Sequence, residues 1–256
     1  MITIENITYT VDQQILLDNV SIQFEPGKLN LILGPNGAGK STLIKAIGNQ
    51  IQPLQGKIYY NTKNIKTCSH LELAKQRAVL SQNIELTFPL KVWEVVMMGR
   101  YPHFTDTPHT KDQTACEEAM RFFDVWDMAD RNYTSLSGGE KQRVNFARVM
   151  AQIWYPSADY RYLLLDEPLT FLDVHYQFQL MHQLLDLLQD PKLVVIGVVH
   201  DLNLAAKFAH QIVLLHKGKV LACGKREVAL SKQNIKTAYQ LEPTIYNENG
   251  NYYLFF

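Results

Sequence analysis

Apolar positions recur every second residue at the start of the chain, loosely at Ile2, Ile4, Ile7 and Tyr9 and strictly at Val20, Ile22 and Phe24. This period predicts strands with one buried face. Pro26 and Gly27 mark a turn, and Leu29 to Leu33 forms an apolar strand that enters a glycine-rich loop. Beyond the loop, Leu43, Ile44 and Ile47 have helical spacing, so Ser41 to Asn49 reads as a helix, and Lys57 to Tyr60 and Ala78 to Leu80 as further strands. From about Asn83 to Ala151 the spacing is helical throughout (Val92, Val95, Val96; Ala115, Ala119, Phe122, Phe123), which predicts a helical lobe inserted into a sheet domain. Tyr162 to Leu165 and Leu193 to Val199 are continuous apolar runs, each followed by a helical segment, as in the parallel sheet of an α/β protein. Ile212 to His216, Lys219 to Ala222 and the Asn249-Gly250 turn between Ile245-Tyr246 and Tyr252 to Phe256 predict a mainly antiparallel tail.

Composition narrows the function classes. The chain has 256 residues, larger than the usual single domain, which suits one core with an inserted lobe. Lys and Arg together number 25 and so do Asp and Glu, so no net positive charge is available to hold nucleic acid or a membrane surface. The longest apolar runs, such as Leu193 to Val199, are far shorter than the roughly 20 residues of a membrane-spanning helix. The first residues lack the basic and apolar regions of a signal peptide. Cys68, Cys116 and Cys223 are widely separated, which suggests neither a zinc cluster nor a disulfide framework and suits a reducing cytosol.

Candidate chemistry begins with Gly34, Pro35, Asn36, Gly37, Ala38, Gly39, Lys40 and Ser41, a GxxxxGK[ST] phosphate loop placed between an apolar strand and a helix. The glycines let the backbone curl so that N–H groups from about Asn36 to Lys40 point inward at phosphate oxygens, next to a helix N-terminus. Lys40 is suited to the β- and γ-phosphates of a nucleotide, Ser41 to Mg²⁺ and Thr42 to the α-phosphate.

Asp166 and Glu167 follow the strand Tyr162 to Leu165, at the edge where open α/β sheets bind ligands. Asp166 is suited to the Mg²⁺ shell, and Glu167 to polarising the water that attacks the γ-phosphate. His200 ends the next buried strand and can donate a hydrogen bond to developing negative charge. A second glycine motif, Leu136, Ser137, Gly138, Gly139 and Glu140, opens another helix with Ser137 as its N-cap. Taken alone it fits a capped helix as well as an anion site.

The ordered set of phosphate loop, Gln82 after Val79-Leu80-Ser81, Leu136 to Glu140, Asp166-Glu167, Leu172-Asp173 and His200 resembles the nucleotide-binding subunits of ABC transporters over nearly the whole chain. The resemblance implies a P-loop NTPase (RecA-like) α/β core with an N-terminal antiparallel β subdomain and an inserted helical subdomain. The core would comprise residues 1–82 and 152–256, and the helical subdomain about 83–151. It implies ATP and Mg²⁺ as ligands and a head-to-tail homodimer, in which Ser137, Gly138, Gly139, Glu140 and Asp173 reach ATP held by the other subunit. Gln82 would contact Mg²⁺ or the attacking water. Two positions depart from the family pattern. The adenine-stacking aromatic falls near Val11, with Tyr9 the nearest aromatic, and Thr170-Phe171 stands where Ser-Ala is commoner before Leu-Asp.

Phe88 to His103 is similar to the corresponding segment in importers of metal chelates, namely iron-siderophores, cobalamin and haem. Leu73 to Gln82 and Ile153 to Arg161 are most similar to the haem (hemin) importer ATPases. The resemblance implies an ATPase peripheral to the cytoplasmic face of the inner membrane, working with two copies of a transmembrane permease and indirectly with a substrate-binding protein. His103 and His109 would lie on the lobe surface that faces the permease. Tyr101 and Phe104 fit either partner contacts or core, and Val92, Val95 and Val96 fit the core. An iron-siderophore or cobalamin importer ATPase is the nearest alternative. A soluble ABC-type ATPase acting on nucleic acid would need insertions or a basic surface that this chain lacks.

Overall fold

The computed structural model describes residues 1–81, 86, 88–155, 159–248 and 250–256. The loose alternation at the start folds as β1 (Ile2–Val11), which pairs antiparallel with β2 (Gln14–Phe24). The alternation is loose because the ladder shifts register between Ile4 and Ile7 and again around Tyr9. Asn6, at φ 51°, sits in the first shift and exchanges hydrogen bonds with Ser21 Oγ. With β4 (Gln55–Tyr60) and β5 (Lys63–Asn64) these strands make a four-stranded antiparallel sheet in the order β2-β1-β4-β5.

The central sheet contains β3 (Leu29–Leu33), β6 (Arg77–Leu80), β7 (Arg161–Asp166), β8 (Leu193–Val198), β9 (Gln211–His216) and β10 (Lys219–Gly224), in the order β10-β9-β3-β8-β7-β6. All neighbours are parallel except β10 on β9. Both faces are covered, so alternate residues of one strand enter different cores. Leu193 and Val195 face the helical side, whereas Val194, Ile196 and Val198 face the antiparallel sheet and α1 (Lys40–Ile47). β3 does the same with Leu31 and Leu33 against Ile32. Asn30 is a buried polar residue inside β3, and its amide donates to Lys28 O at 3.0 Å and Val195 O at 2.9 Å, tying that strand to β8.

α2 (His70–Gln76) leads into β6, and between β6 and β7 lie α3 (Val92–Met97), α4 (Thr110–Phe122) and α5 (Gly138–Gln152), packed through Val92, Val95, Val96, Ala119, Met120, Phe146 and Met150. The valines at helical spacing are fully buried and Met97 nearly so, while Tyr101 is 59% exposed and Phe104 packs half-buried on the core. α6 (Val174–Leu187) and α7 (Leu202–Phe208) cover the same sheet face.

The tail is mainly antiparallel as expected, through β10 on β9 and the terminal hairpin, and differs from the expectation in two ways. β9 is parallel to β3, and two helices, α8 (Arg226–Ala229) and α9 (Lys232–Tyr239), stand before the terminal hairpin of β11 (Thr244–Glu248) and β12 (Asn251–Phe255). Ser231 caps α9, and Ile235 and Ala238 are its buried residues, a three-residue period too brief to register as a helix in the sequence.

Candidate active site

The phosphate loop takes the shape its glycines require. Gly34, Gly37 and Gly39 all have positive φ, at 149°, 76° and 98°. A side chain at Gly34 would come within 2.3 Å of Leu215 O, and one at Gly39 within 2.6 Å of Leu16 O. Gly39 is the N-cap of α1 and contributes no side-chain cap, so the first-turn N–H groups of the helix stay open to an anion. The inward curl is incomplete, because the Ala38 N–H turns to Pro35 O at 3.2 Å instead of joining its neighbours.

Asn36 to Thr42 line a cavity of about 340 Å³ together with Leu16 and Glu167. Gly34 and Pro35 do not line it; their carbonyls accept hydrogen bonds from Lys40 Nζ at 2.8 and 3.0 Å. Burial lowers the Lys40 pKa, and the carboxylates of Glu167 and Asp166 oppose that shift. Ser41 Oγ donates to Asp166 Oδ1 at 2.9 Å, which brings together two residues 125 positions apart. Burial raises the Asp166 pKa; the Ser41 hydrogen bond lowers it, and the charge of Glu167 raises it further.

Glu167 leaves β7 in the left-handed region, at φ 52°, which turns its carboxylate toward the cavity. His200 Nε2 meets Glu167 Oε1 at 2.9 Å. The imidazole follows β8, and Asp201 just after it caps α7 by accepting from Asn203 N and Leu204 N. Lys40, Ser41, Asp166, Glu167 and His200 are therefore gathered at one sheet edge. Gln82 lies outside the described residues.

The second glycine motif is elsewhere. Ser137, Gly138, Gly139 and Glu140 line a separate cavity of about 610 Å³ with Arg143, Phe171, Leu172, Asp173 and Tyr176. Ser137 and Glu140 form a reciprocal capping box, and Glu140 also pairs with Arg131 at 2.9 Å. The backbone hydrogen bond from Ser137, then the one from its side chain, lowers the Glu140 pKa. Asp173 caps α6 by accepting from Tyr176 N. Phe171, one of the two departures from the family pattern, is a wall of this cavity at φ 68° and is 68% exposed, with its Cβ 3.3 Å from the position of a Gly138 Cβ. No residue lines both cavities.

Three neighbours of the phosphate loop escaped the sequence reading. Neither Tyr9 nor Val11 lines the loop cavity; Leu16 does, because the register shifts turn Tyr9 toward the core and leave Val11 exposed. Gly218, in the turn between β9 and β10, donates its N–H to Ala38 O at 3.1 Å and accepts from Asp18 N at 2.9 Å, bracing the loop against β2. Tyr239 of α9 hydrogen-bonds the Gly34 backbone, and burial pushes its hydroxyl pKa up to about 12.

Comparison with known proteins shows the family. Residues 17–170 match the family model described as ABC transporter. The chain belongs to the ABC transporter family. It is an ABC ATPase cassette, and it resembles named relatives over almost its whole length. The hemin import ATP-binding protein HmuV of Escherichia coli O157:H7 is 41% identical over 98% of this chain and 97% of its own. The protein of the same name from Agrobacterium fabrum is 39% identical over 93% and 91%. Among solved structures, an inward-facing ABC transporter assigned to the metal-chelate type superposes with a TM-score of 0.82 at 25% identity, covering 99% of this chain and 95% of that one. The dimeric, post-hydrolysis cassette MJ0796 bound to ADP and Pi superposes with a TM-score of 0.76 at 27% identity, covering 88% and 99%.

Proposed function

We propose that this cassette is the ATP-hydrolysing motor of a haem importer, working as a homodimer beneath a pair of transmembrane permease subunits at the cytoplasmic face of the inner membrane. The observation that carries the dimer is the separation of the two phosphate-binding devices. The loop cavity and the Ser137 to Glu140 cavity share no residue. In this reading the second device meets the phosphates of an ATP held by a second copy, which completes each site. The MJ0796 cassette is dimeric.

In this reading the loop from Gly34 to Thr42 binds the phosphates of ATP through its backbone and Lys40. Ser137, Gly138, Gly139, Glu140 and Asp173 close on them from the partner. Ser41 Oγ and Asp166 Oδ1 offer hard oxygen donors side by side, a set that fits Mg²⁺, and Gln82 is proposed as a further ligand. That ion, when bound, neutralises charge on the β- and γ-oxygens. Glu167 accepts a proton from the attacking water, and His200, whose Nε2 meets Glu167, turns that N–H to the γ-phosphate as charge develops. Closure of the dimer would move the helical lobe at about 83–151 and with it the permease. Exposed Tyr101 is its candidate contact, and Phe104 beside it packs half-buried on the core.

Haem as cargo is supported by the relatives named hemin import proteins and by the metal-chelate type of the structural neighbour. A substrate-binding protein would deliver it from the far side. The chain carries no helix long and apolar enough to cross a membrane among the described residues, so the permease must supply the path. The test is ATPase activity of the cassette and its permease in lipid, with the substrate-binding protein loaded in turn with haem, an iron-siderophore or cobalamin. Stimulation by haem alone supports the assignment; stimulation by either of the others with haem inert replaces it.

A further inference from the structure

Helix α7 starts directly after His200 and is held from outside the site. Asn203, in its first turn, spends both ends of its side-chain amide on one residue of the terminal hairpin. Its Nδ2 donates to Leu254 O at 3.1 Å, and its Oδ1 accepts from Leu254 N at 2.7 Å. Arg226 ties the other end, donating through Nη1 to Ala206 O at 3.1 Å and through Nη2 to Gly250 O at 2.7 Å. Tyr252 and Leu254 are buried under the hairpin, and Tyr252 also donates its hydroxyl to Leu230 O at 3.0 Å.

These ties matter because of what the hairpin is. Strands β11 and β12 pair only with each other among the described residues, and an isolated two-stranded ribbon is barely stable in water. The hairpin is therefore ordered by α7, and α7 is reciprocally clamped by it. Asp201 caps the same helix through the amides of Asn203 and Leu204, so the clamp reaches the peptide that carries His200 within three residues.

We infer that the C-terminal hairpin positions His200 against Glu167, with Asn203 as the positioning residue. This rests on the proposed role of His200 in hydrolysis. Asn203 does not line the phosphate-loop cavity; it acts by fixing the start of α7. The phosphate loop is built on a different element, so nucleotide binding is separable from the effect.

The test is steady-state ATP hydrolysis by the full chain as wild type, Asn203→Leu, His200→Ala and the double variant. Asn203→Leu is expected to lower kcat by about 3- to 10-fold, with KM for ATP within about twofold. In the His200→Ala background the same substitution should have no further effect, because the side chain it positions is gone. Asn203→Asp, which keeps the acceptor and loses the donor, should fall between. If Asn203→Leu does not fold, Arg226→Met carries the same comparison through the other tie. A wild-type kcat for Asn203→Leu beside a slow His200→Ala overturns the inference alone, as do effects that multiply in the double variant. A His200→Ala variant with normal turnover instead overturns the proposed role of His200.

Discussion

His200 Nε2 stands 2.9 Å from Glu167 Oε1, although the two residues follow different strands, β8 and β7, of the central sheet. The contact orients the carboxylate that is suited to take a proton and the imidazole that is suited to give a hydrogen bond. His200→Ala is expected to reduce kcat roughly a hundredfold, the scale for losing one donor to a charged transition state, and to leave ATP affinity nearly unchanged. Single-turnover hydrolysis with nucleotide binding measured in parallel checks both halves. A proportional loss of binding would show that His200 supports the loop instead.

Lys40 is buried, and its ammonium is held by Gly34 O and Pro35 O beside the open end of α1. Lys40→Ala should weaken ATP binding itself, by at least about tenfold, because a charge-assisted contact to phosphate is lost in a partly desolvated site. Titration with a fluorescent ATP analogue measures this. Unchanged affinity would contradict the phosphate-loop assignment.

Asp166 illustrates a site residue that costs stability. Its folded pKa lies above the ordinary 3.8, chiefly through burial. The folded state thus holds the proton more tightly than the unfolded state, so the associated stability is present below pH 3.8 and is lost as pH rises through the folded value. In metal-free protein at neutral pH, Asp166→Asn should raise the melting temperature while abolishing Mg²⁺-dependent hydrolysis. Paired thermal melts at pH 7 with EDTA and with Mg-ATP decide it; a lower melting temperature in EDTA would contradict the burial argument.

Away from the site, Arg100 and Asp112 form an ion pair at 2.9 Å with side chains only 5% and 4% exposed. The pair links the turn after α3 to the start of α4, where Asp112 also accepts from His109 N, and Arg100 reaches Ala151 O at the end of α5. Asp112→Ala leaves a buried guanidinium without its counter-charge and should destabilise the chain by about 3–5 kcal/mol. Urea unfolding measures the difference. A loss below about 1 kcal/mol would show that water or a neighbour compensates.

Local rules made much of this site legible in the sequence. A phosphate loop depends on contiguous residues, so Gly34 to Ser41 could be read with their chemistry attached. Strand ends after buried runs located Asp166, Glu167 and His200 without any knowledge of sheet order. What escaped was determined by contacts between distant segments. Leu16 lines the loop cavity only because β1 is bulged against β2, and Gly218 braces Ala38 only because β9 lies beside β3. Neither juxtaposition leaves a periodic trace. The tail helices were hidden for another reason, since α8 and α9 are short and bury few side chains each, too few for a period to emerge.

The separation of the two cavities makes the central claim one of assembly as well as chemistry. Glu167→Gln keeps the shape of the side chain and removes the base, so ATP should bind and remain intact. Size-exclusion chromatography with light scattering, run with Mg-ATP on this variant and followed by nucleotide analysis of the peak, tests that directly. The expected result is an ATP-dependent dimer holding two unhydrolysed ATP, with steady-state turnover abolished. A variant that stays monomeric with ATP bound, or that hydrolyses at a substantial fraction of the wild-type rate, would contradict it.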